Sequence, residues 1–320
     1  MNDIVGHFNQ LQHLRSLAFS QRLPQTFLFC GPAGIGKRKA ADFFAALLVC
    51  QRKDEPPCGI CSSCKSLQNG SSQDYIVLEP DEKGRIAVGS DNENGTVRWL
   101  THRLTEKSSS GRYIVIIDGL DRISEAGQNI LLKTVEEPGK GVVIIQISSS
   151  KSRVLPTIIS RSMVINFHSL TAEQISKILK TDPEPHSYED LALIVSGGSV
   201  SVTKDLVEKQ ILPPILDIAG AIRETVINKA VFNENLSDFD AYNGDFGLYD
   251  ILINMFHYNI KLVIHKKLQY NRYVENFYID DYVLLQRLIK KLLQLKNDLK
   301  FNVNSKYALK AALYELSENI

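Results

Sequence analysis

Seven residues, GPAGIGK, join an apolar segment, TFLFC, to a stretch with the periodicity of a helix. Gly31, Gly34 and Gly36 allow backbone N–H groups to turn inward around an anion, and the start of the helix adds positive potential. Lys37 completes the pattern, since its ammonium group can reach the β- and γ-phosphates of a nucleotide. A plain glycine-rich turn is the alternative, but the flanking strand and helix are the context of a phosphate-binding loop. The segment therefore predicts an α/β domain with a P-loop.

The residue after Lys37 departs from this pattern. Arg38 stands where P-loop proteins have the hydroxyl that coordinates Mg²⁺, and a guanidinium has no lone pair for a cation, although it can pair with phosphate. Asp118, which ends YIVIID, is predicted to hold Mg²⁺ through water; a polar residue that caps the strand end is the alternative. Gly119 follows, where many P-loop ATPases carry a glutamate that polarises the attacking water. The site is thus predicted to be degenerate, and binding of ATP or ADP is left open.

Four cysteines follow the helix that begins at the loop: Cys50, Cys58, Cys61 and Cys64. They surround the turn-rich sequence PPCGICSSC, which is able to wrap one ion. Four thiolates complete the tetrahedral coordination of Zn²⁺ and leave no position for a water, so the predicted zinc is structural. Unligated buried cysteines and a redox-active CxxC pair are the alternatives. Cys30, in the first strand, is predicted to belong to the core.

Apolar segments and helical patterns alternate in the first half of the chain. The predicted strands, TFLFC, YIVL, YIVIID, VVIIQIS and MVINF, are apolar almost throughout, as in a parallel sheet buried on both faces. Beyond these strands the patterns are helical, first short and then long. We therefore expect an α/β domain over residues 1–168, a small helical lid over 169–207 and an all-α domain over 208–320. The long apolar helix faces are typical of a core, and a subunit contact is the alternative.

Charge and hydropathy exclude several classes of protein. The 320 residues carry a formal net charge of +1, without the basic excess of a protein that mainly binds nucleic acid. No apolar run approaches the ~18 residues needed to span a bilayer, and the start, MNDIVGHFNQ, lacks the pattern of a signal peptide. We therefore expect a cytoplasmic protein with no membrane partner.

Several motifs together resemble the AAA+ clamp-loader family of bacterial DNA polymerase III. They are IVGHFNQLQHLRSLAFSQRLPQTFLFCGPAGIGK, the four-cysteine insert, YIVIIDGLDRIS, NILLKTVEEPG, LPTIISRS and FNVNSKYALKAALYEL, which span most of the chain. The resemblance implies an AAA+ domain with a zinc module at 50–64, a helical lid, and a helical collar through which five subunits form a ring. The implied partners are gamma/tau and delta subunits, and through them the sliding clamp and primer-template DNA.

The resemblance also assigns roles to single residues. Arg161, in LPTIISRS, matches an arginine finger that reaches the γ-phosphate on a neighbouring subunit, although Ser162 replaces the family's cysteine. Without the family, Arg161 is equally well an ordinary exposed arginine. Ser201 stands where the lid of active subunits carries a second arginine, and Ser148 or Ser149 matches the phosphate-sensing position.

Three departures from the family pattern each remove a group needed for hydrolysis: the Mg²⁺-binding hydroxyl at Arg38, the glutamate at Gly119 and the lid arginine at Ser201. The arginine that would act on a neighbour, Arg161, is kept. The sequence therefore predicts a subunit of the clamp loader that donates a finger and hydrolyses little ATP itself. The alternative is an active motor subunit of the gamma/tau type, in which Asp118 and water hold Mg²⁺ alone. A P-loop nucleotide kinase and a zinc-dependent nucleic-acid module are alternatives from other classes.

Overall fold

A computed structural model describes residues 4–52, 54–106, 108, 111–180, 187–232, 247–265, 272–298 and 305–318. The chain divides into two compact units, Met1–Ser169 and Leu170–Ile320. Among the described residues, no helix has both the length and the apolar character needed to cross a membrane.

The first unit alternates helices and strands around a sheet. Its strands are β1 (Thr26–Cys30), β2 (Tyr75–Leu78), β3 (Tyr113–Asp118), β4 (Val142–Ser148) and β5 (Met163–Asn166). Its helices are α1 (Phe8–Ala18), α2 (Lys37–Val49), α3 (Ser62–Gln68), α4 (Val97–Arg103), α5 (Glu125–Glu136) and α6 (Pro156–Arg161). All five predicted strands are confirmed. Ser124 caps α5, since its side chain accepts a hydrogen bond from the backbone N–H of Gly127.

The sheet is parallel throughout, in the order β2-β3-β4-β1-β5. Alternate residues of β1 belong to different cores: Phe27 and Phe29 pack with Phe44 of α2, whereas Leu28 packs with Val115 and Leu131. Both faces of the sheet are therefore buried, which is why its strands are apolar almost without interruption. The carboxyl ends of β1, β3 and β4 lie at one edge of the sheet, where ligands bind in open α/β folds.

The second unit is helical. It contains α7 (Ala172–Leu179), α8 (Tyr188–Val195), α9 (Val200–Glu208), α10 (Leu212–Asn228), α11 (Leu248–His265), α12 (Tyr282–Asp298) and α13 (Ser305–Glu318). Leu191 and Leu206, from the predicted lid, share one core with Ile215 and Phe256 of the predicted collar. The division into lid and collar at residues 207 and 208 therefore stays a prediction. The first four residues of the last collar motif, 301–304, lie outside the described residues.

Candidate functional site

The glycine-rich loop connects β1 to α2, as the sequence predicts. Gly31 has a φ of 154°, and a Cβ atom there would lie 2.3 Å from the carbonyl oxygen of Phe167, so the loop cannot take a larger residue at that position without a shift. Gly34 and Gly36 also have positive φ angles, of 70° and 99°. Lys37 is 5% exposed, and its Nζ donates to the carbonyl oxygens of Gly31 and Pro32 at 2.7 and 2.5 Å. The loop thus has the conformation of a P-loop, with its lysine bound to its own backbone.

Arg38, the departure from the P-loop pattern, lies at the centre of a charged cluster. Its Nε donates to Asp42 Oδ1 at 3.0 Å, and its Nη1 donates to Glu79 Oε1 at 2.5 Å and to Asp118 Oδ2 at 3.2 Å. Burial by itself would lower the pKa of Arg38, because it disfavours the charged guanidinium. The carboxylates of Asp42 and Glu79 have the larger combined effect, so the pKa of Arg38 is raised. The hydroxyl of Tyr75 donates to Asp42 Oδ1 at 2.6 Å. A permanent cation is therefore bound to the carboxylate predicted to hold Mg²⁺.

Asp118 ends β3 on the same edge of the sheet as the loop. Burial raises the pKa of its carboxyl group, and the neighbouring guanidinium of Arg38 opposes that rise. Sequence reasoning missed Asp42 and Glu79, although both leave a signal. Asp42 lies one helical turn after Arg38, at the spacing of a helix ion pair. Glu79 directly follows β2, just as Asp118 ends the neighbouring strand β3.

Gly119 lacks the carboxylate that many P-loop ATPases have at this position. Its backbone conformation is also unfavourable for a residue with a side chain. Its φ is 111°, and a Cβ atom there would lie 2.9 Å from Cδ of Arg122. Residues other than glycine rarely adopt this conformation. A glutamate at this position would therefore need both a strained backbone and a displaced arginine.

The three serines assigned by resemblance have different environments. Ser148, the last residue of β4, is 1% exposed, and its hydroxyl donates to the carbonyl oxygen of Ser150 at 3.0 Å. The backbone N–H of Ser149 donates to Asp121 Oδ1 at 3.1 Å. In the second unit, Ser199 caps α9, and its hydroxyl lies 3.2 Å from that of Ser201. The assignment of Ser148 or Ser149 to the phosphate-sensing position stays a prediction.

Arg161 is the last residue of α6, and its side chain is 42% exposed. Its Nε lies 2.8 Å from Oε1 of Glu136, the last residue of α5. Its Nη1 donates to the carbonyl oxygen of Thr157 at 3.1 Å and to the hydroxyl of Ser160 at 3.3 Å. The sequence did not indicate Glu136 as a partner, because the two residues are far apart along the chain.

The four cysteines converge between α2 and α3. Their sulfur atoms all lie within 4.8 Å of one another. Cys50 directly follows α2, and Cys61 is the N-cap of α3, where its sulfur accepts a hydrogen bond from the backbone N–H of Cys64 at 3.4 Å. Similar bonds run from the N–H of Cys61 to the sulfur of Cys58, and from the N–H of Cys58 to the sulfur of Cys50, both at 3.4 Å. The predicted convergence of the four thiols is confirmed.

The chemistry of this cluster fits a zinc ion. A hydrogen bond from the backbone of Gln51 lowers the pKa of Cys61 to about 6, and one from the backbone of Ile60 lowers the pKa of Cys58. These bonds stabilise the thiolates that zinc requires. Burial instead raises the pKa of Cys64 to about 12, because an isolated thiolate is poorly solvated there, and a bound cation would offset that cost. Cys50, Cys58, Cys61 and Cys64 would hold the ion with a structural role.

The fold and the site together define an α/β protein of the P-loop class: a five-stranded parallel sheet, a P-loop after β1 and an acidic carboxyl end on β3. Residues 6–171 match the family model described as DNA polymerase III, delta subunit, which is more than half of the chain. The chain therefore belongs to that family, and its resemblance to clamp-loader proteins is confirmed.

Two curated relatives are named as subunits of DNA polymerase III. DNA polymerase III subunit delta′ of Pseudomonas aeruginosa is 37% identical over 180 residues, which are 54% of this chain and 52% of the relative. DNA polymerase III subunit tau of Bacillus subtilis is 28% identical over 258 residues, 74% of this chain and 44% of the relative. The chain thus spans about half the length of these curated relatives. Among solved structures, a DNA polymerase III gamma-subunit-related protein of Thermotoga maritima covers 97% of this chain and 99% of its own, with a TM-score of 0.44 and 16% identity.

Proposed function

We propose that this chain is a delta-prime-like subunit of the bacterial DNA polymerase III clamp loader, and that it acts in cytoplasmic DNA replication as a stator with little ATPase activity of its own. The observation that carries the proposal is the ion pair between Arg38 and Asp118. It puts a permanent positive charge at the carboxylate that P-loop ATPases use for Mg²⁺. Gly119 and Ser201 add to the argument, since neither supplies the group that hydrolysis needs at its position.

The same chain retains a group that can act on a neighbour. Arg161 is exposed at a helix end, and a guanidinium supplied in trans neutralises the charge that develops during phosphoryl transfer. The proposed partners are gamma/tau and delta subunits in a five-membered ring, and through the ring the sliding clamp and primer-template DNA. The collar helices would form the contacts of the ring, and a structural zinc would hold the module at 50–64.

The tau relative favours a second candidate, an active motor subunit, because its similarity extends over a larger share of the chain than that of the delta′ relative. A motor would have to hold Mg²⁺ beside the guanidinium of Arg38. Two like charges a few ångströms apart repel by several kcal/mol at an effective dielectric constant of about 20. We therefore place the motor second.

Native mass spectrometry of the full chain, mixed with gamma/tau and delta subunits and with Mg-ATP, tests the proposal. We expect an assembly that contains this chain, one zinc per chain, and no nucleotide turnover by the purified chain alone. A chain that stays monomeric with every partner would contradict the proposal. Turnover by the purified chain that Lys37→Ala abolishes would establish the motor instead, and tight DNA binding by the isolated chain would favour a nucleic-acid module.

The Arg38→Thr variant tests the charged cluster itself. We expect Mn²⁺-dependent binding of ADP to strengthen by about tenfold over wild type, because Asp42, Glu79 and Asp118 lose their cation and the loop regains a hydroxyl. Hydrolysis should stay absent, since Gly119 offers no base. Titration of a fluorescent ADP analogue with and without Mn²⁺ measures the effect, and Arg38→Lys, which keeps the charge, is the matched control. Equal affinities in wild type and Arg38→Thr would show that Arg38 does not block the metal position.

A further inference from the structure

The guanidinium of Arg161 is held on two of its three nitrogens. Nε is paired with the carboxylate of Glu136, and Nη1 is bound to the carbonyl oxygen of Thr157 and the hydroxyl of Ser160. Within the described part of the chain, Nη2 has no hydrogen-bond partner. The planar guanidinium is therefore held at Nε and at Nη1, while Nη2 keeps its donors for another acceptor.

The start of helix α6, which carries Arg161, is fixed by α5. Gln128 of α5 is 2% exposed, and its Oε1 accepts from the backbone N–H of Leu155, the residue that precedes α6, at 2.9 Å. Its Nε2 donates to the carbonyl oxygen of Arg153 at 2.8 Å. The side chain thus spans the segment that leads into α6 and sets where the helix begins.

The end of α6 is fixed from the sheet. Gln146, in the middle of β4, is fully buried, and its Nε2 donates to the hydroxyl of Ser162 at 3.2 Å. That hydroxyl donates in turn to the carbonyl oxygen of Ile158 at 2.8 Å. A buried polar side chain in an apolar strand is costly unless it makes hydrogen bonds. Nε2 of Gln146 makes the bond to Ser162, whereas among the described residues its Oε1 has no partner. Ser162, which replaces the family's cysteine, is therefore the link between β4 and the residue next to Arg161.

Both ends of α6 are held, so the conformation of the Arg161 side chain is what can still vary. The contact with Glu136 restricts that conformation. We propose that Glu136 is a positioning residue for Arg161: it binds Nε and so presents Nη2 to an acceptor outside the chain. The inference rests on the proposed role of Arg161 as a finger. The acceptor class is a phosphate oxygen of a nucleotide bound to a neighbouring subunit. A long side chain that is fixed before it meets its target loses less conformational entropy on binding.

The opposite role is the competing reading of the same contact. Glu136 could hold Arg161 away from phosphate, since a carboxylate and a phosphate compete for one guanidinium. The two roles predict opposite changes in the ATPase rate of the complex. Removal of a positioning group lowers the rate, whereas removal of a competitor raises it. Among the described residues one carboxylate contacts the side chain, that of Glu136 at Nε, and none of them forms a hydrogen bond with Nη2. The geometry therefore favours positioning.

The test uses the reconstituted complex and its ATPase activity. For Glu136→Gln we expect kcat to fall by about fivefold, the upper range for a half-exposed ion pair, with KM for ATP and the assembled mass unchanged. Glu137→Gln, which removes the same charge one residue further on, should leave kcat unchanged. In a complex that already carries Arg161→Ala, adding Glu136→Gln should not lower kcat any further, because the guanidinium that Glu136 positions is no longer present.

Several results would overturn the inference. A kcat that is unchanged or raised in Glu136→Gln would exclude positioning, and an equal loss in the Arg161→Ala background would show that Glu136 acts on the fold rather than on the finger. Failure of this inference alone is distinguishable from failure of the finger. If Arg161→Ala lowers kcat and Glu136→Gln does not, only the role of Glu136 is wrong; if Arg161→Ala is as active as wild type, both are wrong.

Discussion

Replacing Arg161 with alanine is expected to leave the complex assembled and to lower the ATPase rate at the neighbouring site by about 10³, the lower end of the effect of arginine fingers. The guanidinium would neutralise charge that develops on the γ-phosphate oxygens, and alanine has no donor for them. The side chain is 42% exposed, so its truncation removes little packing. The measurement is the stimulation that the chain confers on the ATPase of a motor subunit in the reconstituted complex.

Two further variants calibrate this result. Arg161→Lys keeps the positive charge but loses the planar fork of donors, so an intermediate rate is expected. Arg98→Ala removes another exposed arginine of the same unit, on α4, and should leave the rate unchanged. Full stimulation by the Arg161→Ala protein, in a complex of normal mass, would remove the finger assignment.

Loss of the metal is expected to have the second large effect. Cys64 is fully buried, and Cys64→Ser should lose the zinc and unfold the segment between α2 and the end of α3. Leu67 of α3 is 7% exposed and shares a core with Phe44 of α2, so unfolding of α3 uncovers part of that core. We expect a loss of roughly 4 kcal/mol, which corresponds to about 10 °C in the melting temperature of a unit of this size. Metal analysis, thermal melting and hydrogen exchange over residues 50–68 measure these changes.

The fifth cysteine provides the control for this experiment. Cys30 lies in β1, outside the cluster, and Cys30→Ala should keep its zinc. Removal of zinc from wild type with a chelator should reproduce the melting temperature of Cys64→Ser, since both remove the same ion. Two results would contradict a structural zinc site. One is a wild-type protein that contains no zinc even when it is purified in the presence of reductant and zinc. The other is a Cys64→Ser protein with the same melting temperature as wild type.

The fold of the first unit could be predicted from the sequence because its signals are local. The strands β1 to β5 are continuous apolar runs, and α2 begins at Lys37 directly after the glycine-rich loop. Ser124 caps α5 through a bond three residues along the chain, which is within reach of sequence reasoning. The order of the strands is a different kind of information. It depends on pairings between segments far apart along the chain, which the periodicity of the sequence does not indicate.

The site could be predicted only in part. The loop, Arg38 and Asp118 carry recognisable spacing, and the four cysteines are close in sequence as well as in space. Glu79 and Glu136 were missed because their partners lie 41 and 25 residues away. The position of Glu79 after β2 is a signal only once β2 is known to pair with β3, and no local pattern links Glu136 to Arg161. The roles of the site residues stay predictions until the variants above are measured.

The sequence by itself determined that this chain has a P-loop with an arginine in place of the usual hydroxyl residue, and a group of four closely spaced cysteines, because each of these features depends on residue type and short spacing. Only the tertiary structure decided what replaces the missing hydroxyl. Folding brings the ends of β2 and β3 together beside α2, so three carboxylates surround the guanidinium of Arg38. The same folding places Glu136 against Arg161. Side-chain charges act over a few ångströms, so their partners are set by the packing of the sheet and its helices.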